Sequence, residues 1–81
     1  MLRLMVHDAW DEITVPWNVD LTLAQLKRDV LKQARVTAPP EEFVLKFRGA
    51  TLPDESLTVN EAALPENAAL IVLRRRRRAV I

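Results

Sequence analysis

The chain has 81 residues, 49% hydrophobic and 28% charged, enough for one small domain and too few for an enclosed catalytic cleft. No cysteine, one histidine (His7) and one glycine (Gly49) exclude disulfides, thiolate nucleophiles, Cys- or His-rich metal sites, the P-loop and the dinucleotide fingerprint. The formal charge of +1 conceals a division: the first 73 residues carry seven basic against eleven acidic side chains, a net of −4, and Arg74 to Arg78 add five positive charges in one run.

Leu2, Leu4 and Val6 fall on one side at period two, with Arg3 between them. After a polar turn (Asp8, Ala9, Trp10, Asp11), Ile13, Val15 and Trp17 alternate with Glu12, Thr14 and Pro16. The short connection predicts an antiparallel hairpin. Pro16 has no N–H for a ladder, which places the second strand at a sheet edge. Leu23, Leu26, Val30 and Ala34 then recur at three- and four-residue steps, the stripe of a helix over about residues 22 to 35. Thr22 and Gln25 form its capping box, Lys27, Arg28, Asp29, Lys32 and Arg35 occupy its other faces, and Pro39 and Pro40 stop any continuation. Val36 is expected to fold back as a core contact.

Phe43, Leu45 and Phe47 alternate with Val44, Lys46 and Arg48 in a third strand ending at Gly49. A short extended piece follows around Thr51 and Leu52. Pro53 to Ser56 reads as a loop, Val59 to Leu64 has room for one helical turn, and Ala69 to Leu73 reads as a last strand apolar on both parities. The order is strand, strand, helix, strand, short strand, strand: an α+β domain over residues 1–75, followed by a basic tail at 76–81.

In this order the residues resemble the ubiquitin family. The likeness is carried by "ITVPWNVDLTLAQLKRDV" with Ile13, Val15, Thr22, Leu23, Leu26, Lys27 and Val30, by "PPEEFVLKFRGATL", and by "VNEAALPENAALIVLR". It implies a ubiquitin-like β-grasp fold, a mixed four- to five-stranded sheet with one helix packed across one face. Conjugated members and sulfur carriers of this fold end in a diglycine, because the terminal glycine carboxylate must enter a narrow activating-enzyme channel. Here the matching stretch reads Arg77, Arg78, Ala79, with no glycine after Gly49. The resemblance thus implies a module that is not conjugated, similar to the small bacterial ubiquitin-like proteins without diglycine, including those associated with type VII secretion. Ubiquitin's receptor patch centres on an isoleucine in the third strand, and Lys46 occupies the aligned position. The usual ubiquitin receptors are therefore not the expected partners.

The expected site is the sheet face away from the helix. If Leu70 and Val72 face the helix, Ile71 and Leu73 face away, beside Val44, Lys46 and Arg48 on the third strand. Burying a large aliphatic side chain is worth about 1.5–3 kcal/mol, so this cluster favours a protein partner or a homodimer; scattered apolar surface residues are the plainer alternative. Trp10 in the hairpin turn is either a partner anchor or a shield over the sheet edge. Trp17 has core parity and His7 reads as a surface residue. The acidic pairs Asp11–Glu12, Glu41–Glu42 and Asp54–Glu55 read as solvated loops, not as a carboxylate site.

The run Arg75, Arg76, Arg77 and Arg78 suits an acidic protein partner, nucleic-acid phosphates or an anionic lipid surface, or else it solubilises the chain or tethers to its acidic body. Nucleic-acid binding by this tail is one alternative function, and an atypical modifier or sulfur carrier is another. No catalytic residue, cofactor or metal is expected. No apolar run approaches the ~20 residues of a membrane span and no signal-peptide pattern opens the chain, so the expected compartment is the cytoplasm.

Overall fold

A computed structural model describes residues 1–75; the expected tail at 76–81 lies outside the described residues. Five strands form one sheet: β1 (Leu2–Val6), β2 (Asp11–Val15), β3 (Phe43–Phe47), β4 (Ala50–Thr51) and β5 (Ala69–Arg74), with α1 at Leu23–Gln33 and a short 3-10 turn at Pro40–Glu42. The spatial order is β2-β1-β5-β3-β4. β1 and β5 run parallel at the centre and the other three pairings are antiparallel, so the sheet is mixed. β2 takes an edge, and Pro16 falls just beyond its last residue, where the ladder needs no donor.

Alternation within each strand sends Leu2, Leu4, Val6, Ile13, Val15, Phe43, Leu45, Leu70 and Val72 to one face. α1 covers that face with Leu23, Leu26, Val30 and Leu31, and Val59 and Leu64 complete the core from the long segment before β5. Trp17 packs partly buried against this core, its indole N–H donating to the Leu64 carbonyl at 3.0 Å.

Both ends of α1 are set locally. Thr22 Oγ1 accepts from the Gln25 N–H at 3.2 Å, and Gln25 Oε1 accepts from the Thr22 N–H at 3.3 Å, which completes the expected capping box. The helix ends at Gln33, before the residues expected, because Arg35 enters the left-handed region at φ 59°. Arg35 and Val36 then donate to the Lys32 and Leu31 carbonyls at 3.1 and 2.9 Å. This Schellman closure turns Val36 back onto the core, ahead of either proline.

Two expectations are corrected. The third strand stops at Phe47, because Arg48 (φ 53°) and Gly49 (φ 81°) both take the left-handed conformation and form a two-residue hairpin turn into β4. Lys27, assigned by its charge to an outer helix face, is 4% exposed. It stands four residues after Leu23 and four before Leu31, within the buried stripe. Its Nζ donates to the Phe43 carbonyl at 3.0 Å and to Glu55 Oε2 at 2.8 Å.

The segment from Leu52 to Ala68 is pinned rather than loose. Leu23 and Ala24 donate to the Leu57 and Glu55 carbonyls, each at 2.9 Å, and Val59 donates to the Leu21 carbonyl at 2.8 Å. Thr58 and Glu61 cap one another reciprocally at 3.0 and 3.1 Å around a single turn, in the place expected for one. The Ser56 hydroxyl and N–H both donate to Asp54, holding its carboxyl below the usual range and fixing the turn that presents Glu55 to Lys27.

Candidate partner-binding face

The sheet has a second face, and no element among the described residues packs on it. Register brings its residues together: Val44 lies opposite Leu73, and Lys46 opposite Ile71. Ile71 also lies opposite Met5, which in turn lies opposite Glu12. Val44, Leu73, Met5 and Lys46 are each half-buried by their neighbours, and Ile71 is 44% exposed at the middle. Four apolar side chains drawn from three strands therefore form one patch, with Lys46 and Thr51 on its β3–β4 side and Glu12 on its β2 side. One end of the patch is a shallow depression between Val44, Lys46, Thr51 and Leu73, closed by His7, Asp8, Arg74 and Arg75.

The five positions on β3 and β5 expected to share this face separate into four that do and one that does not. Val44, Lys46, Ile71 and Leu73 are neighbours. Arg48 is not, because the turn removes it from strand alternation: its guanidinium lies 5.1 Å from the centre of the Phe47 ring, and Phe47 packs against the core. Trp10 is 78% exposed with φ 50°, and its ring centre lies 5.1 Å from that of His7 at the margin of the face. Met5, Arg3 and Glu12 also belong to the face and were missed. The outward parity of the first strand was the available signal for Met5 and Arg3; Glu12 joins them only through the hairpin register.

The first two arginines of the run finish the last strand, in keeping with the domain expected over residues 1–75. Arg74 belongs to β5, and its parity puts it over the helix-side end of the sheet, 5.0 Å from the centre of the Phe43 ring. Its guanidinium pairs with Asp8 at 2.8 Å and with Glu42 at 2.9 Å, joining the β1–β2 turn to the residue before β3. The Asp8 hydrogen bond, aided by the charges of Asp8 and Glu42 and opposed by desolvation, raises the Arg74 pKa above its already high ordinary value. Arg75 is exposed, but its backbone N–H donates to the Glu42 carbonyl and extends the β3–β5 ladder by one step. Arg76, Arg77 and Arg78 lie outside the described residues.

The chemistry of the remaining surface is sparse. Among the described residues, no group of three or more His, Cys, Asp or Glu side chains is placed to hold a metal ion, and no helix is long and apolar enough to cross a membrane. The buried polar chemistry is the Lys27–Glu55 pair, whose side chains are 5% and 22% exposed and already satisfy one another.

No protein-family model matches the sequence, and no curated protein matches it. The likeness is in the structure. One similar solved structure is the NMR solution structure of a computationally designed protein based on the template of human erythrocytic ubiquitin. It superposes with a TM-score of 0.77 at 20% identity, over 99% of this chain and 96% of that one. With the strand order, the mixed pairing and the single helix across one face, this shows that the chain has the ubiquitin-like β-grasp fold.

Proposed function

We propose that this chain is a noncovalent protein-interaction module that binds through the sheet face opposite the helix, and that it is neither an enzyme nor a conjugated tag. One observation carries the reading: Met5, Val44, Ile71 and Leu73 meet on a face that no described element covers. Clustered apolar area gains more from a partner than the same residues scattered, because one docking event removes water from all of them. Lys46 and Arg3 on the same face add a basic character that separates it from a purely apolar receptor patch. The residues directly after β5 are arginines where a conjugated relative carries glycines, which favours binding over transfer. On this reading the chain resembles the small bacterial ubiquitin-like proteins that lack the diglycine.

Ile71→Asp tests the binding face. The side chain is already half in water, so the unfolding free energy from urea denaturation is expected to stay within about 0.5 kcal/mol of the parent. Affinity for a protein captured from the native cell is expected to fall at least about tenfold, since a carboxylate is then buried in an apolar contact. Unchanged affinity, or a lost fold with retained capture, overturns the reading. Incubation with an activating enzyme and ATP is expected to yield no thioester; a tail-linked thioester would instead assign the chain to the modifiers. Retention on RNA or DNA that is abolished by changing Arg76, Arg77 and Arg78 to Ser, and that is steeply salt-dependent, would favour the nucleic-acid alternative.

A further inference from the structure

The cross-strand pairings place one row straight across the outer face: Glu12, Met5, Ile71, Lys46 and Thr51. The row is apolar at its centre, negative toward β2 and positive toward β3. Among the described residues, neither Glu12 nor Lys46 joins an ion pair. Resting on the reading that this face binds protein, we infer that its occupant is a second copy of the chain, stacked face to face about a twofold axis that runs parallel to the strands between Met5 and Ile71.

Strands lie about 4.8 Å apart, so Glu12 and Lys46 each stand about 7 Å from that axis, on opposite sides. Half a turn about it exchanges the two positions. Glu12 of each copy then faces Lys46 of the other, and Met5 faces Ile71, each pair occurring twice by symmetry. In the adjoining row, Arg3 meets the other copy's Ala69, whose small side chain leaves room for it. An axis running across the strands instead sets Glu12 against Glu12 and Lys46 against Lys46, which like-charge repulsion disfavours. Stacked sheets sit about 10 Å apart, a gap that the Met5–Ile71 pairs fill and that a Glu and a Lys side chain span together. The outer face spans five strands, of which β4 has only two residues, so it measures at most about 19 by 16 Å and falls short of the ~800 Å² per partner buried in a standard interface. The dimer is therefore weak and concentration-dependent.

Sedimentation equilibrium on the full chain, from micromolar to about 1 mM, reads the association. The weight-average mass is expected to climb from 9.3 kDa toward twice that value. Glu12→Lys alone and Lys46→Glu alone each turn both charge pairs repulsive and are expected to weaken association at least about tenfold. An equimolar mixture of these two variants restores both attractive pairs in the heterodimer, as does the double exchange in one chain; both are expected to return to within about threefold of the parent. Circular dichroism checks that each variant is folded, and the double exchange keeps the test open should one single variant fail. A parent that stays at monomer mass through the range overturns the dimer, as do single variants that associate normally or a mixture that does not recover. A monomeric parent whose captured partner is lost with Ile71→Asp removes only the second copy. A dimer whose captured partners ignore Ile71→Asp supports the second copy and removes the heterologous partner.

Discussion

Phe43→Ala is expected to lower the unfolding free energy by about 3–5 kcal/mol, out of a total of about 4–12 kcal/mol for a chain of this size. Phe43 is fully buried at the start of β3, on the face that α1 covers. Truncation removes its transfer free energy and leaves a cavity that strands paired on fixed registers cannot collapse. It also takes away the aromatic face beneath the Arg74 guanidinium, 5.0 Å from the ring centre. Phe43→Leu retains most of the volume and is expected to cost less than half as much. Urea denaturation measures both, with an unchanged slope indicating that the same surface is exposed on unfolding. A loss under about 1 kcal/mol for the alanine variant would mean that this end of the core repacks freely.

Lys27→Ala is expected to cost a similar 3–5 kcal/mol for a different reason. The ammonium group is buried with two partners, the Phe43 carbonyl at 3.0 Å and the Glu55 carboxylate at 2.7 Å. Removing it leaves Glu55 without its counter-charge at 22% exposure and a buried carbonyl without a donor. The intact pair need not be worth this much, because desolvating two charges offsets much of their attraction. The double variant Lys27→Met with Glu55→Leu is therefore expected to recover a large part of the loss, and the coupling in a double-mutant cycle reads the difference. Additive losses would show that Lys27 acts only through its methylene packing. The two experiments separate the two functions of one residue: Phe43→Ala removes the ring and keeps the carbonyl, whereas Lys27→Ala leaves the carbonyl unpaired and keeps the ring.

The same contacts constrain how the face opposite the helix can work. Lys27 fastens the segment bearing Glu55 to α1 and β3, and Arg74 fastens β5 to the β1–β2 turn and to Glu42. The Lys27 link lies on the helix side and the Arg74 link closes the end of the sheet beside Val44 and Leu73, so the outer face rests on a pinned scaffold. The proposed binding there would need no rearrangement of the core, so Ile71→Asp is expected to separate association from folding.

Features confined to one element were legible in the sequence. Period-two alternation identified the core residues of each strand, the Thr22–Gln25 spacing set the start of the helix, and Pro16 placed β2 at an edge. The lack of glycine after Gly49 and the separation of charge between body and tail are likewise properties of the chain alone. Tertiary structure decided which of these residues meet. Lys27 falls within the buried stripe by spacing but has the charge of a surface residue, and its partners, 16 and 28 residues away, are what let that charge be buried. Arg48 follows the parity of Val44 and Lys46 on paper, and the left-handed turn that closes β3 onto β4 removes it. Glu12 joins the outer row through the hairpin register, and Arg74, placed at the end of the last strand by the sequence, finds its partners Asp8 and Glu42 only in the fold, from 66 and 32 residues away. Periodicity records how one element is buried and is set by local backbone geometry. Pairing and register join distant elements, and they follow from closing the whole core at once.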